Sequence, residues 1–386
     1  MQFVGLLLVL CFGVLTIWTP NRWAVSGLET GVFAITIVAA WRSGFRAVPW
    51  PLDWLQILFA ITVIWGLAQL IAHDSVYRFE TWSAVLGWLA LFFAYSTGLQ
   101  VFANATLRRR FRVFAIVFGA LIALWAILQL FSAEGKILWF YSTPESDRPM
   151  GPFLSADHFS AFMELLLPIA LWEALIDRRR ALLYGCAAAL MYASVIAGTS
   201  RAGSVIVNLE LGAVLIPGLT RDRNRRGIGG MALQIGSLIL MFSAVVGWNE
   251  LLKRFQAKDP FTGRREAWEA GIAMIHQRPW FGFGLGTWTA VYPSYAVFDP
   301  GVLMNAAHSD WLQWIGDGGI PFGILMSMVA IRALWLGIKA PWGLGVVFVF
   351  IHSLVDFPLQ IPPIFVWLTI VLAALAAGAR RTASDP

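Results

Sequence analysis

Apolar runs of bilayer length recur from one end of this 386-residue chain to the other. A helix rises about 1.5 Å per residue, so about 20 apolar residues cross the roughly 30 Å hydrocarbon layer. Twelve segments meet that description: Phe3–Trp18, Trp23–Ala40, Leu52–Ala72, Trp82–Ala103, Phe111–Phe131, His158–Ile176, Ala181–Thr199, Ala202–Leu219, Ile228–Trp248, Asp310–Leu336, Pro341–Val355 and Pro362–Gly378. No basic residue precedes the first, and it lacks a small-x-small cleavage pattern, so it reads as a span rather than a signal peptide. The expected fold is all-α: a polytopic membrane protein of about 12 transmembrane helices.

Composition demands the same solvent. Hydrophobic residues make up 59% of the chain and charged residues 13%, about half the charged share of a soluble domain. Such a chain has too little polar surface to face water. The 20 Trp and 28 Phe fit aromatic belts at two interfaces. A net charge of +6 does not point to nucleic acid, because the basic residues fall in short clusters between apolar runs. Cys11 and Cys186 both lie inside such runs and read as small buried hydrophobes, not as a disulfide or metal pair.

The basic clusters orient the chain. With the N-terminus inside, the inner connections carry Arg42 and Arg46, the Arg108–Arg112 group, Arg178 to Arg180, Arg221 to Arg226, Arg332 with Lys339, and Arg380 with Arg381. The short outer connections carry only isolated cations, Arg22, Arg78, Lys136, Arg148 and Arg201. That alternation follows the positive-inside rule and predicts both termini on the cytoplasmic side. Three parts result: 1–248 with helices 1–9, an outer segment 249–309 with short amphipathic helices between helices 9 and 10, and 310–386 with helices 10–12 and a cytoplasmic tail. A second long outer connection spans Ser132–Asp157. Within the larger segment, Gly263–Gln277 reads as a helix with Trp268, Ile272 and Ile275 on one face, suited to the membrane interface. The glycine-rich run from Pro279 to Gly286 cannot be regular helix.

No P-loop, H-E-x-x-H, C-x-x-C or G-x-S-x-G occurs, and no acidic pair suggests a metal. An outward-facing set of Arg and His remains. Arg201 follows Gly198-Thr-Ser, Arg264 and Arg265 lie in Gly263-Arg-Arg-Glu-Ala-Trp268, and His308 closes the long outer segment just before Asp310. The planar guanidinium fork donates two hydrogen bonds to phosphate and keeps its charge. An imidazole exchanges a proton near neutral pH. Guanidiniums plus an imidazole at a membrane surface suit chemistry on a lipid-linked phosphate, in which the arginines stabilise a departing diphosphate and the histidine takes a proton from the attacking hydroxyl. Asp157 and His158, which open a span on the outer side, and Asp310 are candidate lining residues. Glu164, Glu173 and Glu210 fall within apolar runs, where a carboxylate is expected to face the protein interior or a wet cavity, and Glu173, near the cytoplasmic end of its run, reads as an anchor.

The chain resembles the O-antigen ligase and polymerase superfamily of bacterial envelope glycosyltransferases, over most of its second half and more diffusely in the first. The likeness is carried by Gly151-Pro-Phe-Leu-Ser-Ala-Asp-His158, by Thr199-Ser-Arg-Ala-Gly203, by Thr262-Gly-Arg264 with Trp268, and by Arg278-Pro-Trp-Phe-Gly-Phe-Gly-Leu-Gly286. His308 with Gly319, and His352-Ser-Leu-Val-Asp-Phe-Pro358, complete it. It implies transfer of a glycan from undecaprenyl diphosphate to lipid A core or a growing polysaccharide at the periplasmic face of the inner membrane, without cofactor or metal. Carried over by position, Arg201 and Arg264 or Arg265 hold the diphosphate and His308 is the base or orients the acceptor. The ligase-type Arg-x-x-x-Leu has Val205 in place of Leu. A polymerase and a protein O-oligosaccharyltransferase are the alternatives within the superfamily. A transporter or flippase is the alternative outside it, disfavoured because the polar groups gather at one face and no matched halves appear.

Overall fold

A computed structural model describes residues 2–19, 21–42, 53–142, 148–221, 230, 234, 236–242, 249–256, 263–296 and 304–384. Among them, helix is the regular structure throughout, with only isolated bridges at Ile137–Tyr141 and Met150–Phe153. The helices are α1 (Gln2–Leu15), α2 (Arg22–Arg42), α3 (Trp54–Ile71), α4 (Arg78–Phe102), α5 (Ala105–Ser132), α6 (Ala156–Ile176) and α7 (Ala181–Gly198). They continue as α8 (Arg201–Arg221), α9 (Asn249–Phe255), α10 (Arg264–Gln277), α11 (Trp288–Val291), α12 (Asp310–Lys339), α13 (Leu344–His352) and α14 (Pro362–Ser384). Eight of them, α2 to α7, α12 and α14, are long and apolar enough to cross a membrane. Of the expected span Ile228–Trp248, residues 230, 234 and 236–242 are helical and the rest lie outside the described residues. Arg46, Arg223, Arg225, Arg226 and Thr262, and stretches 143–147, 257–262 and 297–303 of the two long connections, lie outside them too.

The expected continuous span Pro341–Val355 needs correction. A 3-10 turn at Pro341–Gly343 leads into α13, which has 9 residues and stops at His352. Turn and helix together reach about 18 Å at 1.5 Å per residue, short of a bilayer. The chain continues as irregular backbone in which Ser353, Asp356, Phe357 and Leu359 are buried. Non-helical backbone at such depth is tolerated only inside protein or along a cavity.

Helix α6 is the axis of the bundle: 89% of its apolar window is buried, more than in any other candidate span, and it packs against α5, α7, α8 and α13. Lipid is as apolar as this core, so helix association rests on close packing more than on transfer from water. Trp367 of α14 shows how. It stacks on Phe114 and Phe118 at interplanar angles of 6° and 13° and takes the edge of Phe162 at 82°. At the end of the bundle away from Asp157, one carboxylate joins four helices. Asp53 caps α3 through Leu55 N–H and accepts from the Tyr95 hydroxyl at 2.8 Å, from Arg332 at 3.2 Å and from Arg380 at 3.1 Å.

At the Asp157 end, the expected helix over Gly263–Gln277 is present as α10, but the face it buries is a different one. Ala267, Ala270 and Met274 are buried with Phe283, Trp288 and Tyr292, whereas Ile272 is 50% exposed. Short side chains at 267 and 270 let α10 come close to α12, which leaves the bulkier Ile272 facing outward. The Pro279–Gly286 run crosses α12 where that helix breaks. Gly319 has φ +79°, and a Cβ there would lie 2.3 Å from the Trp280 carbonyl oxygen, so no other residue fits. Gln69 of α3 fastens the crossing. Its amide donates to the carbonyls of Phe281 at 2.6 Å and Asp317 at 3.0 Å and accepts from Leu285 N–H at 3.0 Å.

Candidate functional site

Four separate stretches of chain meet at the first turn of α6. Ser155 caps that helix by accepting from Asp157 N–H at 3.2 Å, which fixes Asp157 and His158 at the bundle end. Arg264, the first residue of α10, reaches down to Asp157 with Nη2–Oδ2 at 2.9 Å. The same guanidinium is 4.0 Å from Asp356 Oδ1. Asp356 also faces both imidazoles, with Oδ1 3.5 Å from His308 Nδ1 and Oδ2 3.7 Å from His158 Nε2. Phe357 separates the two rings, edge-on to each, with centroids 4.5 Å from His158 and 5.1 Å from His308.

Asp356 is the centre of this group and is 2% exposed. Burial opposes its ionisation. The facing imidazole of His308, with the charges of His158, His352 and Arg264, outweighs that and holds the carboxyl below the ordinary carboxylate range. The backbone presents it firmly. Asp310 N–H donates to the carbonyls of Ser353 at 3.0 Å and Asp356 at 3.2 Å, and the Asp310 carboxylate accepts from Leu359 N–H at 3.0 Å. Asp310 therefore pins the segment that carries Asp356. His308 has a left-handed backbone, φ +51°, an uncommon conformation for a non-glycine residue, here reinforced by Trp268 Nε1–H donating to its carbonyl at 3.3 Å.

Arg201 opens α8 at the same end of the bundle. Thr199 ends α7 in the left-handed region, φ +54°, and Arg254 donates to its carbonyl at 3.3 Å. This tight reversal sets the first turn of α8 directly against α6. Gly203 lies so close that a Cβ would stand 2.4 Å from Ser160 Cβ. Arg201 is half-buried there, while Arg265 is exposed. The arrangement thus gathers Asp157, His158, Arg264 and His308, sets Arg201 on the adjoining helix turn, uses Asp310 as a backbone clamp, and turns Arg265 outward.

Sequence reasoning missed Asp356. It stands in the His352-to-Pro358 phrase, and an acidic residue enclosed by apolar neighbours just ahead of a proline was the available signal. Behind it, His352 Nδ1 lies 2.9 Å and 3.0 Å from the two oxygens of Glu164, both side chains fully buried. Glu164 therefore faces inward, as its apolar surroundings predict, with His352 as partner. Glu173, near the far end of α6, pairs with Arg112 at 2.6 Å. Glu210 is buried, and its carboxylate oxygens have no hydrogen-bond partner among the described residues.

The site's chemistry is a buried carboxylate that orients an imidazole beside guanidiniums, at the end of a membrane-sized helical bundle. Residues 186–327, from mid-α7 to mid-α12, match the family model described as O-antigen ligase. The chain carries a domain of the O-antigen ligase and polymerase superfamily. That O-antigen ligase domain contains Arg201, Arg264, Arg265, His308 and Asp310, whereas Asp157, His158 and Asp356 lie outside it. The geometry joins both sets. With its bilayer-length helices, the protein is a multi-pass membrane protein of a glycosyltransferase or ligase type. No curated protein matches the chain.

Proposed function

We propose that this protein transfers a glycan from undecaprenyl diphosphate to an acceptor hydroxyl, on lipid A core or on a growing polysaccharide, at the periplasmic face of the bacterial inner membrane. The observation that carries the reading is Asp356 facing His308 Nδ1 at 3.5 Å with Arg264 at 4.0 Å from the same carboxylate. A carboxylate on Nδ1 favours the tautomer whose Nε2 is free to accept a proton. Distances of this kind shorten when substrate binds.

The acceptor oxygen forms its bond to the anomeric carbon as the bond from that carbon to the diphosphate oxygen breaks. The acceptor proton passes to His308 Nε2. The bonding electron pair leaves on the diphosphate, whose growing negative charge Arg264 and Arg201 stabilise. Arg264 is engaged with Asp157, but a guanidinium has five N–H donors and can hold a carboxylate and a phosphate at once. Positioned guanidiniums supply the charge stabilisation, so transfer proceeds in the presence of a chelator. The clustering of Arg108 to Arg112, Arg178 to Arg180 and Arg380 at the other end of the bundle supports a cytoplasmic placement of that end, with the site outside.

The decisive assay uses purified protein in detergent with an undecaprenyl-diphosphate glycan, with and without chelator. Transfer is expected in both, and abolished by His308→Ala in a protein that still inserts and elutes as wild type. Normal product from that variant would falsify the assignment.

A further inference from the structure

The end of the bundle away from Asp157 holds a second concentration of charge, which the transfer chemistry does not use. A cavity of about 410 Å³ opens there, lined by Arg109 and Arg112 of α5 and by Glu173, Asp177, Arg178 and Arg179 at the end of α6 and in the turn beyond it. Two of its guanidiniums are already committed. Arg112 Nε donates to Glu173 Oε1 at 2.6 Å, and its guanidinium lies 5.3 Å from the centroid of Trp342. Arg109 is 3.3 Å from Asp177. Arg178 and Arg179 have no carboxylate partner among the described residues. Four guanidiniums against two carboxylates leave the cavity an excess of two positive charges.

Its depth and its borders say what such a cavity takes. Along α6, 21 residues at about 1.5 Å each separate it from the Asp157 turn by about 30 Å, so it lies at headgroup level in the opposite leaflet. Exposed apolar side chains stand at the same end of the bundle: Ile176, which lines the cavity, is 50% exposed, and Leu182 and Leu183, which open α7 just past the turn that carries Arg178 and Arg179, are 67% and 64% exposed. A soluble phosphate makes no use of these, whereas acyl chains lie along them.

We propose that this cavity binds the headgroup phosphate of an anionic phospholipid. Arg178 and Arg179 take the phosphate oxygens through their planar donor forks, the Arg112–Glu173 and Arg109–Asp177 pairs hold the walls, and the acyl chains run along Ile176, Leu182 and Leu183. Basic pockets between transmembrane helices are suited to such headgroups. The site is independent of the glycan-transfer reading and stands or falls separately from it.

The full-length protein, purified in detergent and exposed to equal amounts of phosphatidylglycerol and phosphatidylcholine, tests this by native mass spectrometry. The wild type should retain phosphatidylglycerol in preference, and R178Q/R179Q should weaken that retention by about 10- to 30-fold, the effect of two guanidiniums near an anionic headgroup. R42Q/R110Q removes the same charge from the same membrane face outside the cavity and should change retention by less than about twofold. All variants should elute as wild type, and the single variant Arg179→Gln serves if the double does not. Equal losses in both double variants would reduce the cavity to a diffuse surface field. Displacement of the lipid by millimolar inorganic phosphate would assign the cavity to a soluble anion, and equal retention of both lipids would remove the site.

Discussion

Asp356 Oδ1 stands 3.5 Å from Nδ1 of His308, and the other oxygen of the same carboxylate stands 3.7 Å from His158 Nε2. One buried anion thus faces two imidazoles that come from α6 and from the end of the long segment before α12. Removing that anion should cripple His308 without removing it. Asp356→Asn is expected to lower the rate of transfer by about 10²- to 10³-fold, His308→Ala by at least as much, and the double variant by little more than His308→Ala alone. Steady-state rates of the three variants check this, and strictly multiplicative losses would mean that the two residues act separately.

Arg264 and Arg265 are adjacent in sequence but not in environment. Arg264 is turned onto Asp157 at 2.9 Å and Arg265 is exposed. Loss of one stabilising donor at a site of developing charge costs about 10²- to 10³-fold. Arg264→Ala is therefore expected to lose activity on that scale, and Arg264→Lys to recover only part of it, since an ammonium lacks the fork. Arg265→Ala should stay within about twofold of wild type by the same argument. A larger effect at 265 than at 264 would reverse the assignment.

The pH dependence of stability follows from the lowered Asp356 carboxyl. A group whose folded-state pKa is depressed adds stability above its unfolded value, about 3.9 for Asp, and loses it as pH falls through the folded value. The difference in melting temperature between wild type and Asp356→Asn should stay flat from about pH 5 to pH 8 and shrink below about pH 4. Thermal unfolding in detergent across that range measures it. A difference that titrates near neutrality would show that the histidines, not Asp356, dominate the cluster.

The pair of Glu164 and His352 is fully buried, 2.9 Å apart. Breaking such a pair from one side leaves a group without its partner, at a cost of about 3–5 kcal/mol. Glu164→Leu alone should be destabilised on that scale, and Glu164→Leu with His352→Phe should regain most of the loss. Denaturant or thermal unfolding of the single and double variants distinguishes this from simple loss of volume.

Two glycines give opposite expectations. Gly319→Ala forces a Cβ into the Trp280 carbonyl at a positive φ, so it should destabilise the crossing of the Pro279–Gly286 run over α12. Gly87 lies in α4 with ordinary room for a methyl group, its nearest neighbour at 3.7 Å, and Gly87→Ala should be neutral or stabilising by about 0.4–1 kcal/mol. Melting temperatures of the two variants decide it.

What the sequence by itself determined is the membrane. Eight of the expected runs, from Trp23–Ala40 to Ala181–Thr199 together with Asp310–Leu336 and Pro362–Gly378, coincide with helices long and apolar enough to cross a membrane, because hydrophobic length is a local property that twenty consecutive residues state in full. The resemblance to the O-antigen ligase superfamily was legible for a similar reason, since its phrases are short and contiguous. Arg264 and His308 stood out because cations and an imidazole beside apolar spans are conspicuous. Only the tertiary structure decided that they converge on Asp356. That carboxylate sits beyond a helix broken at His352, in a segment held by Asp310 and Leu359. The buried face of α10 and the partner of Glu164 belong to the same class. Each depends on which helix comes alongside, and nearest approach between distant segments is set by small residues such as Gly203 and Ala270 and by the break at Gly319, whose consequences no local run of sequence contains.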